Sequence, residues 1–406
     1  MKVLYLHQYF ATPDSSGGTR SYEMAKRMIA AGHEVTFVTS SAFLPKEWVT
    51  KKGWNHFDYQ GIKVVALHLP YSNSVGFTKR MAIFFEFSLR SLLMSRSIRC
   101  DVVFATSTPL TIAIPGVYAA RKNRVPFVFE VRDLWPELPV AVGAIRSRLF
   151  IEAARRLEKW AYFNANEIVA LSPGMAEGVI ATGYPRARVS VISNSCDNAL
   201  FRVGLDDIRS FRNQYDWLQS RPLVLYAGTL GVINGVSYLA ELAAETWKLN
   251  PEIRFLVVGS GREESLVRDR ARQLGVYEKN FYMMAPVTKN DMPVFFGAAT
   301  VAMSLFIPLE PMWNNSANKF FDALASSTAV AINYRGWQEG VLEKSGAGFT
   351  LSHNDFAMAA RDLVEYIGDA EFLESASVAA RDLASNEFDR DVLARKLCDA
   401  LARAVS

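Results

Sequence analysis

The chain has 406 residues, half of them apolar and 21% charged, which suits two domains of roughly 200 residues and excludes a disordered, collagenous or disulfide-rich protein. Its formal charge of +4 is uneven: residues 1–200 carry 24 Lys/Arg against 15 Asp/Glu (+9) and the remainder 21 against 26 (−5), so the first half is suited to meet something anionic. Cys100, Cys196 and Cys398 are scattered, the five histidines lack metal spacing, no apolar run is long enough to cross a bilayer, and the N-terminus does not read as a signal peptide. A reducing compartment, no structural zinc and a soluble or peripheral protein are expected.

Residues 2–7 alternate β-branched and apolar side chains and end at His7, which either touches a substrate or is an ordinary strand-end histidine. A polar loop with Gly17-Gly18 follows. Residues 20–31 then put Tyr22, Ala25, Met28 and Ile29 on one helical face, Gly32-His33 ends the helix, and 34–39 read as the next strand. This is a βαβ unit. Further apolar strands are predicted at 63–67, 101–105, 127–131, 167–171 and 189–193. Residues 77–99 carry five bases and one acid beside a dense apolar face. They fit either a helix lying on an anionic membrane or a core-facing helix with a basic side. Glu130-Val131-Arg132-Asp133-Leu134-Trp135-Pro136-Glu137 crowds ionisable groups around a tryptophan just past a buried strand, as a polar site or an ion-pair network would.

A second series of strands is predicted at 223–227, 255–258, 281–283, 301–305, 330–332 and 348–351. The expected fold class is therefore α/β, two facing Rossmann-like doubly wound domains with a site in the cleft between the strand ends. Gly228-Thr229-Leu230-Gly231 follows the first strand of this series, where small residues let amides approach an anion; a plain tight turn fits as well. Val258-Gly259-Ser260-Gly261 is a second such turn. In residues 314–325 polar residues precede a helix whose first turn holds Lys319, and Asp322 lies one turn further on. That is a diphosphate site at a helix start, or an ordinary capped helix with a solvated Lys/Asp pair. Asp389-Arg390-Asp391 imitates a metal motif but opens the terminal helix, where acids complement the dipole.

The order of these motifs resembles glycosyltransferase family 4 over nearly the whole chain: the Gly17-Gly18 loop, residues 130–137, Ser193-Asn194-Ser195-Cys196-Asp197 with Phe201, the Gly228 loop, the Gly259 turn, residues 314–325 and the closing helix. Asn333-Tyr334-Arg335-Gly336-Trp337-Gln338, followed by Gly346-Ala347-Gly348, is most similar to the branch that builds bacterial surface polysaccharides such as O-antigen and includes N-acetyl-fucosamine transferases. The resemblance implies a GT-B fold with an acceptor-binding domain over 1–200, a nucleotide-sugar-binding domain over 201–387, and a helix over 388–406 packing back on the first domain. It implies catalytic roles for Asp133, Arg132 and Lys319. Donor contacts are implied at Gly228, Thr229, Gly231, Asn234, Gly259, Gly261, Asn314, Asn315, Ser316, Asn318 and Asp322. Acceptor contacts are implied at His7, Gly17, Gly18, Arg20, Trp135 and Glu137.

Two departures from the family stand out. Asn314 and Asp322 replace the two glutamates of its Glu-x7-Glu motif, and Val232, Ile233 and Asn234 occupy the stretch where it has an arginine and a lysine. The resemblance further implies a retaining enzyme that moves a sugar, such as N-acetyl-fucosamine, from a UDP-sugar to a lipid-linked saccharide. No metal or other cofactor is expected, and the place of action is the cytoplasmic face of the membrane. A GT-B nucleotide-sugar 2-epimerase is the alternative. A nicotinamide-dependent oxidoreductase is disfavoured because neither glycine loop reads Gly-x-Gly-x-x-Gly, and no nucleic-acid-binding module is recognisable.

Overall fold

The computed structural model describes residues 1–13, 15, 18–71, 75–143 and 145–406, without the side chain of Phe77. The chain divides into two compact units, Met1–Ser193 with Asp391–Ser406, and Asn194–Arg390.

The first unit is built on strands β1 (Lys2–Leu6), β2 (Glu34–Ser40), β3 (Trp54–Tyr59), β4 (Ile62–Leu67), β5 (Val102–Thr106), β6 (Phe127–Val131), β7 (Glu167–Ala170) and β8 (Val189–Val191). They form one sheet in the order β3-β4-β2-β1-β5-β6-β7-β8. Every neighbouring pair is parallel except β3 with β4. Because helices cover both faces, β5, β6 and β7 are buried along their whole length and read as apolar runs interrupted by Thr106, Glu130 and Glu167. At the centre Tyr5 lies against Phe37 and Phe104, with ring centroids 4.3 and 4.5 Å apart.

Only β3 was not predicted from the sequence. It is a half-exposed edge strand, joined to β4 through Gln60-Gly61, whose φ angles of 53° and 83° make the two-residue hairpin turn that matches strand twist.

The helix Phe77–Ser97 has a side that packs on the core, as one of its two sequence readings expects, and an exposed apolar side. Ile83, Phe84 and Phe87 are buried and Ser88 Oγ donates to Thr111 O, while Phe85, Leu89 and Leu93, one turn apart, are 52, 68 and 68% exposed. No helix among the described residues is long and apolar enough to cross a membrane.

The terminal helix Arg390–Val405 buries Leu393, Ala394, Leu397, Ala400 and Leu401 in one cluster with Val3, Tyr5 and Met28. Arg27 of the first unit pairs with Asp391 at its start. The division between units lies at Ser193/Asn194, seven residues before the expected 200/201, because residues 194–201 are bonded into the second unit. Asn194 binds Ser316, Cys196 N donates to Phe388 O, and the Phe201 ring meets Phe296 edge-on at 5.6 Å. Arg390 likewise pairs with Asp197 at 2.6 Å, which carries the second unit past residue 387.

The second unit holds β9 (Leu223–Ala227), β10 (Arg254–Val258), β11 (Phe281–Met284), β12 (Val301–Ser304), β13 (Ala329–Ile332) and β14 (Gly348–Thr350). They form an all-parallel sheet in the order β11-β10-β9-β12-β13-β14. Strand order reverses between β1 and β5 in the first sheet and between β9 and β12 in the second. Open parallel sheets bind ligands beyond the carboxyl ends of strands at such switch points.

Candidate active site

In the second unit, β9 and β10 run on into glycine loops that remain bonded to each other. Gly228 N donates to Val258 O and Leu230 N to Ser260 O, each at 2.9 Å. A Cβ on Gly259 would lie 2.0 Å from Gly228 O, and one on Gly261 2.3 Å from Leu230 O, so only glycine permits the approach. Of the two sequence readings of the loop, these bonds fit the tight turn. The amides of Gly228 and Leu230 are spent within the protein and do not await an anion. The bare Cα of Gly228 instead makes room for Lys319, whose Cε would stand 3.1 Å from an added Cβ.

Thr229 is exposed, and Gly231 precedes a short turn, Val232–Asn234. Asn234 is buried. Its Nδ2 donates to Thr229 O at 2.9 Å and its Oδ1 accepts from Lys319 Nζ at 3.3 Å. The ammonium also faces the rings of Tyr226 and Phe306, 5.3 and 5.9 Å from their centroids. Burial lowers its pKa to about 8, against the opposing pull of Asp322.

Lys319 is the second residue of the helix Asn318–Ala325. The expected polar cap is not formed. Ala317 holds the cap position and no side chain caps the helix, because the polar residues before it are committed elsewhere. Ser316 Oγ accepts from Asn194 N and Ser316 O from Asn194 Nδ2, at 3.0 and 2.6 Å, while Asn315 O accepts from Trp337 Nε1. Asn314 is half-buried and Asn318 exposed. First-turn N–H groups without a side-chain cap, beside a lysine, have the chemistry to receive an anion. Asp322 Oδ1 accepts from Lys289 Nζ at 2.8 Å, and that ammonium lies over the Phe201 ring at 4.9 Å.

In the first unit, polar groups gather at the ends of β1, β5 and β6. His7 Nε2 lies 3.4 Å from Arg132 Nη1 and Nδ1 lies 2.9 Å from Ser21 Oγ. A guanidinium only donates, so Nε2 accepts and Nδ1–H donates to the serine. Burial, and then the Arg132 charge, hold the His7 pKa well below the usual histidine value, so the ring is neutral. Arg132 N donates to Ser107 Oγ at 2.8 Å, and Asp133 Oδ2 accepts from Thr108 Oγ1 at 2.9 Å. Burial raises the Asp133 pKa against Thr108 and Arg132.

Arg20, expected to touch the acceptor, is a buried strut instead. It donates to Glu130 Oε1 and to the carbonyls of Ser193 and Ile192, so its fork is occupied. Burial works against the charge on fully buried Glu130, but Arg20, Arg132 and the Thr106 hydroxyl overcome it and lower its pKa.

Trp135 packs, partly buried, on the first-unit core. Glu137 opens a short helix, Glu137–Ala141, and its Oε2 is buried without a partner among the described residues. Gly18 is exposed, and Gly17 lies outside the described residues. The structure thus brings His7, Arg132 and Asp133 together in one unit, and Lys319, Asn234 and Gly228 in the other.

Sequence reading passed over Gln8 and Lys289, and used Asn194 only as a mark of resemblance. Gln8 is 1% exposed and neither its Oε1 nor its Nε2 has a partner among the described residues; its place directly after strand-end His7 was the available clue. No group of three or more His, Cys, Asp or Glu side chains gathers as a metal site among the described residues.

The two units define a two-domain α/β protein of the GT-B type. Residues 17–195 match the family described as Glycosyl transferase 4-like domain and residues 221–369 the family described as Glycosyl transferases group 1. The chain belongs to the glycosyltransferases and is an enzyme of that class. A putative colanic acid biosynthesis glycosyl transferase, WcaI of Escherichia coli, is 24% identical over 296 residues, 70% of this chain and 71% of that protein. Among solved structures, HepE of Anabaena in complex with UDP has a TM-score of 0.75 at 17% identity, covering 99% of this chain and 100% of its own. Sucrose-phosphate synthase of Thermosynechococcus elongatus has a TM-score of 0.75 at 15% identity, with 99 and 98% covered. At these identities the solved structures share the fold.

Proposed function

We propose that this glycosyltransferase moves a sugar, an N-acetylamino or 6-deoxy-N-acetylamino hexose such as N-acetyl-fucosamine, from a UDP-linked donor to a lipid-linked saccharide in the synthesis of a bacterial surface polysaccharide, with retention of configuration. The observation that carries the reading is Lys319, held by Asn234 against Gly228 at a helix start without a side-chain cap. Departure of the nucleoside diphosphate puts negative charge on the leaving oxygen, and a fixed ammonium and helix dipole stabilise it without a metal ion. UDP as the nucleotide is supported by the HepE complexes with UDP, with UDP and glucose, and with UDP-glucose. The polysaccharide assignment is supported by the WcaI likeness, and retention by the family 4 resemblance.

Asp322 accepts from the ribose hydroxyls, sharing its carboxylate with Lys289. Arg132 and Asp133 orient the sugar and the attacking hydroxyl, and a diphosphate oxygen takes the acceptor proton in a front-side displacement. Neutral His7 fixes Arg132 through Nε2. The enzyme works at the cytoplasmic membrane surface, supported by the exposed stripe Phe85, Leu89, Leu93 and the bases Lys79, Arg90 and Arg96 on the same helix.

Incubation with a panel of UDP-, GDP- and dTDP-sugars and a polyprenyl-diphosphate-linked saccharide, with the product anomer read by NMR, tests the reading. Transfer from a UDP-sugar with retained configuration is expected; an inverted product, or an epimerised sugar formed without acceptor, contradicts it. Flotation with anionic liposomes tests the membrane surface: Leu89→Glu combined with Leu93→Glu abolishes binding if the stripe inserts, and unchanged binding rejects it.

A further inference from the structure

Apart from the glycine loops, the second unit contains a cavity of about 500 Å³ beyond the ends of β13 and β14, within the roughly 300–1,000 Å³ range of small-molecule sites. Its wall comes from the loop after β12, through Pro308 and Trp313, from residues 333–335 and 350–354, and from Met358 and Asp362 of the helix Phe356–Gly368. None of the residues assigned to the nucleotide lines it. Sequence reading used Asn333 and Arg335 only as marks of resemblance and gave this segment no task.

The lining restricts the class of ligand. Pro308, Met358 and the Trp313 indole offer apolar surface. Between them stand hydrogen-bonding groups with capacity to spare. His353 Nδ1 lies 3.2 Å from both Asn333 O and Asn333 Nδ2, so it donates to the one or accepts from the other, and Nε2 is left as the complementary acceptor or donor without a partner among the described residues. The Thr350 hydroxyl is buried and likewise unpartnered. Asp362 makes no ion pair among the described residues, and the cation of the lining, Arg335, is paired with Glu339 at 2.5 Å.

A phosphate or nucleotide would meet the unpaired Asp362 carboxylate and a guanidinium already shared with Glu339, and a purely apolar ligand would strand the threonine, histidine and aspartate in a dry wall. A sugar ring has an apolar C–H face for the indole and hydroxyls for the rest. We propose that the cavity is a second, nucleotide-independent site for a short uncharged saccharide.

Saturation-transfer NMR on the full chain, with galactose, L-fucose, N-acetylglucosamine and maltotriose at about 10 mM, suits the millimolar affinities of such ligands. At least one of these binds, saturating UDP does not displace it, and Trp313→Ala and Asp362→Ala each weaken it at least tenfold while Lys319→Ala leaves it unchanged. Asp362 lies on a partly exposed helix face, so its variant keeps the wild-type melting temperature and separates lost binding from lost folding. Binding of none of the sugars, displacement by UDP, unchanged binding in both cavity variants, or preference for inorganic phosphate overturns the proposal. If sugars bind here and UDP binds nowhere, the cavity stands and the donor reading falls.

Discussion

In the first unit the polar groups at the strand ends are fixed by other side chains: Arg20 by Glu130, Glu130 by Thr106, His7 by Ser21 and Arg132, Asp133 by Thr108. In the second the loops are fixed by backbone, with glycines holding β9 against β10 past their ends, and only then does a single lysine rest on the Asn234 side-chain amide and two aromatic faces. A side-chain network tolerates added bulk at its rim but not the loss of a partner. A backbone contact tolerates changed partners but not one methyl group. The two units should therefore fail under different substitutions.

Glu130→Gln should have the largest effect. It leaves Arg20 buried without its counter-charge, which costs about 3–5 kcal/mol and lowers the melting temperature by roughly 6–20 °C for a domain of this size; calorimetry that finds less than about 1 kcal/mol would show the pair to be solvated. Gly259→Ala comes next, at about 3 kcal/mol, because its Cβ would overlap Gly228 O and the loops must part. Denaturant unfolding measures it, and a neutral result would break the claim that close approach fixes the second site.

Asp133→Asn should leave folding and UDP affinity within about twofold but lower kcat/KM about 100-fold, near 2.7 kcal/mol. A matching loss of UDP affinity would place Asp133 on the donor rather than on the reacting groups.

Much of the fold was legible because a strand buried on both faces has little choice but an apolar run, as in β9 and β13. The edge strand β3 escaped notice because half its residues face solvent. Lys319 was legible as a cation in the first turn of a helix that follows polar residues. Its environment was not, since Asn234 lies 85 residues away in the chain. Arg20 misled for the same reason. The family resemblance implied an acceptor contact for it, and nothing local announced that Glu130, 110 residues on, would claim it. Asn315 and Ser316 looked like caps, and tertiary partners had already engaged them.

The central claim is that the Lys319 ammonium receives the donor diphosphate. Burial puts its pKa at about 8, so the free enzyme loses the charge as pH rises through 8, and UDP, which binds the charged form, takes up a proton on binding there. Calorimetric titration of UDP at pH 7 and pH 9, in the wild type and in Lys319→Ala, measures this directly. The account predicts roughly tenfold weaker binding at pH 9 in the wild type, and in the variant at least tenfold weaker binding at pH 7 with no further loss at pH 9. Equal affinity of the two proteins at pH 7 would contradict it.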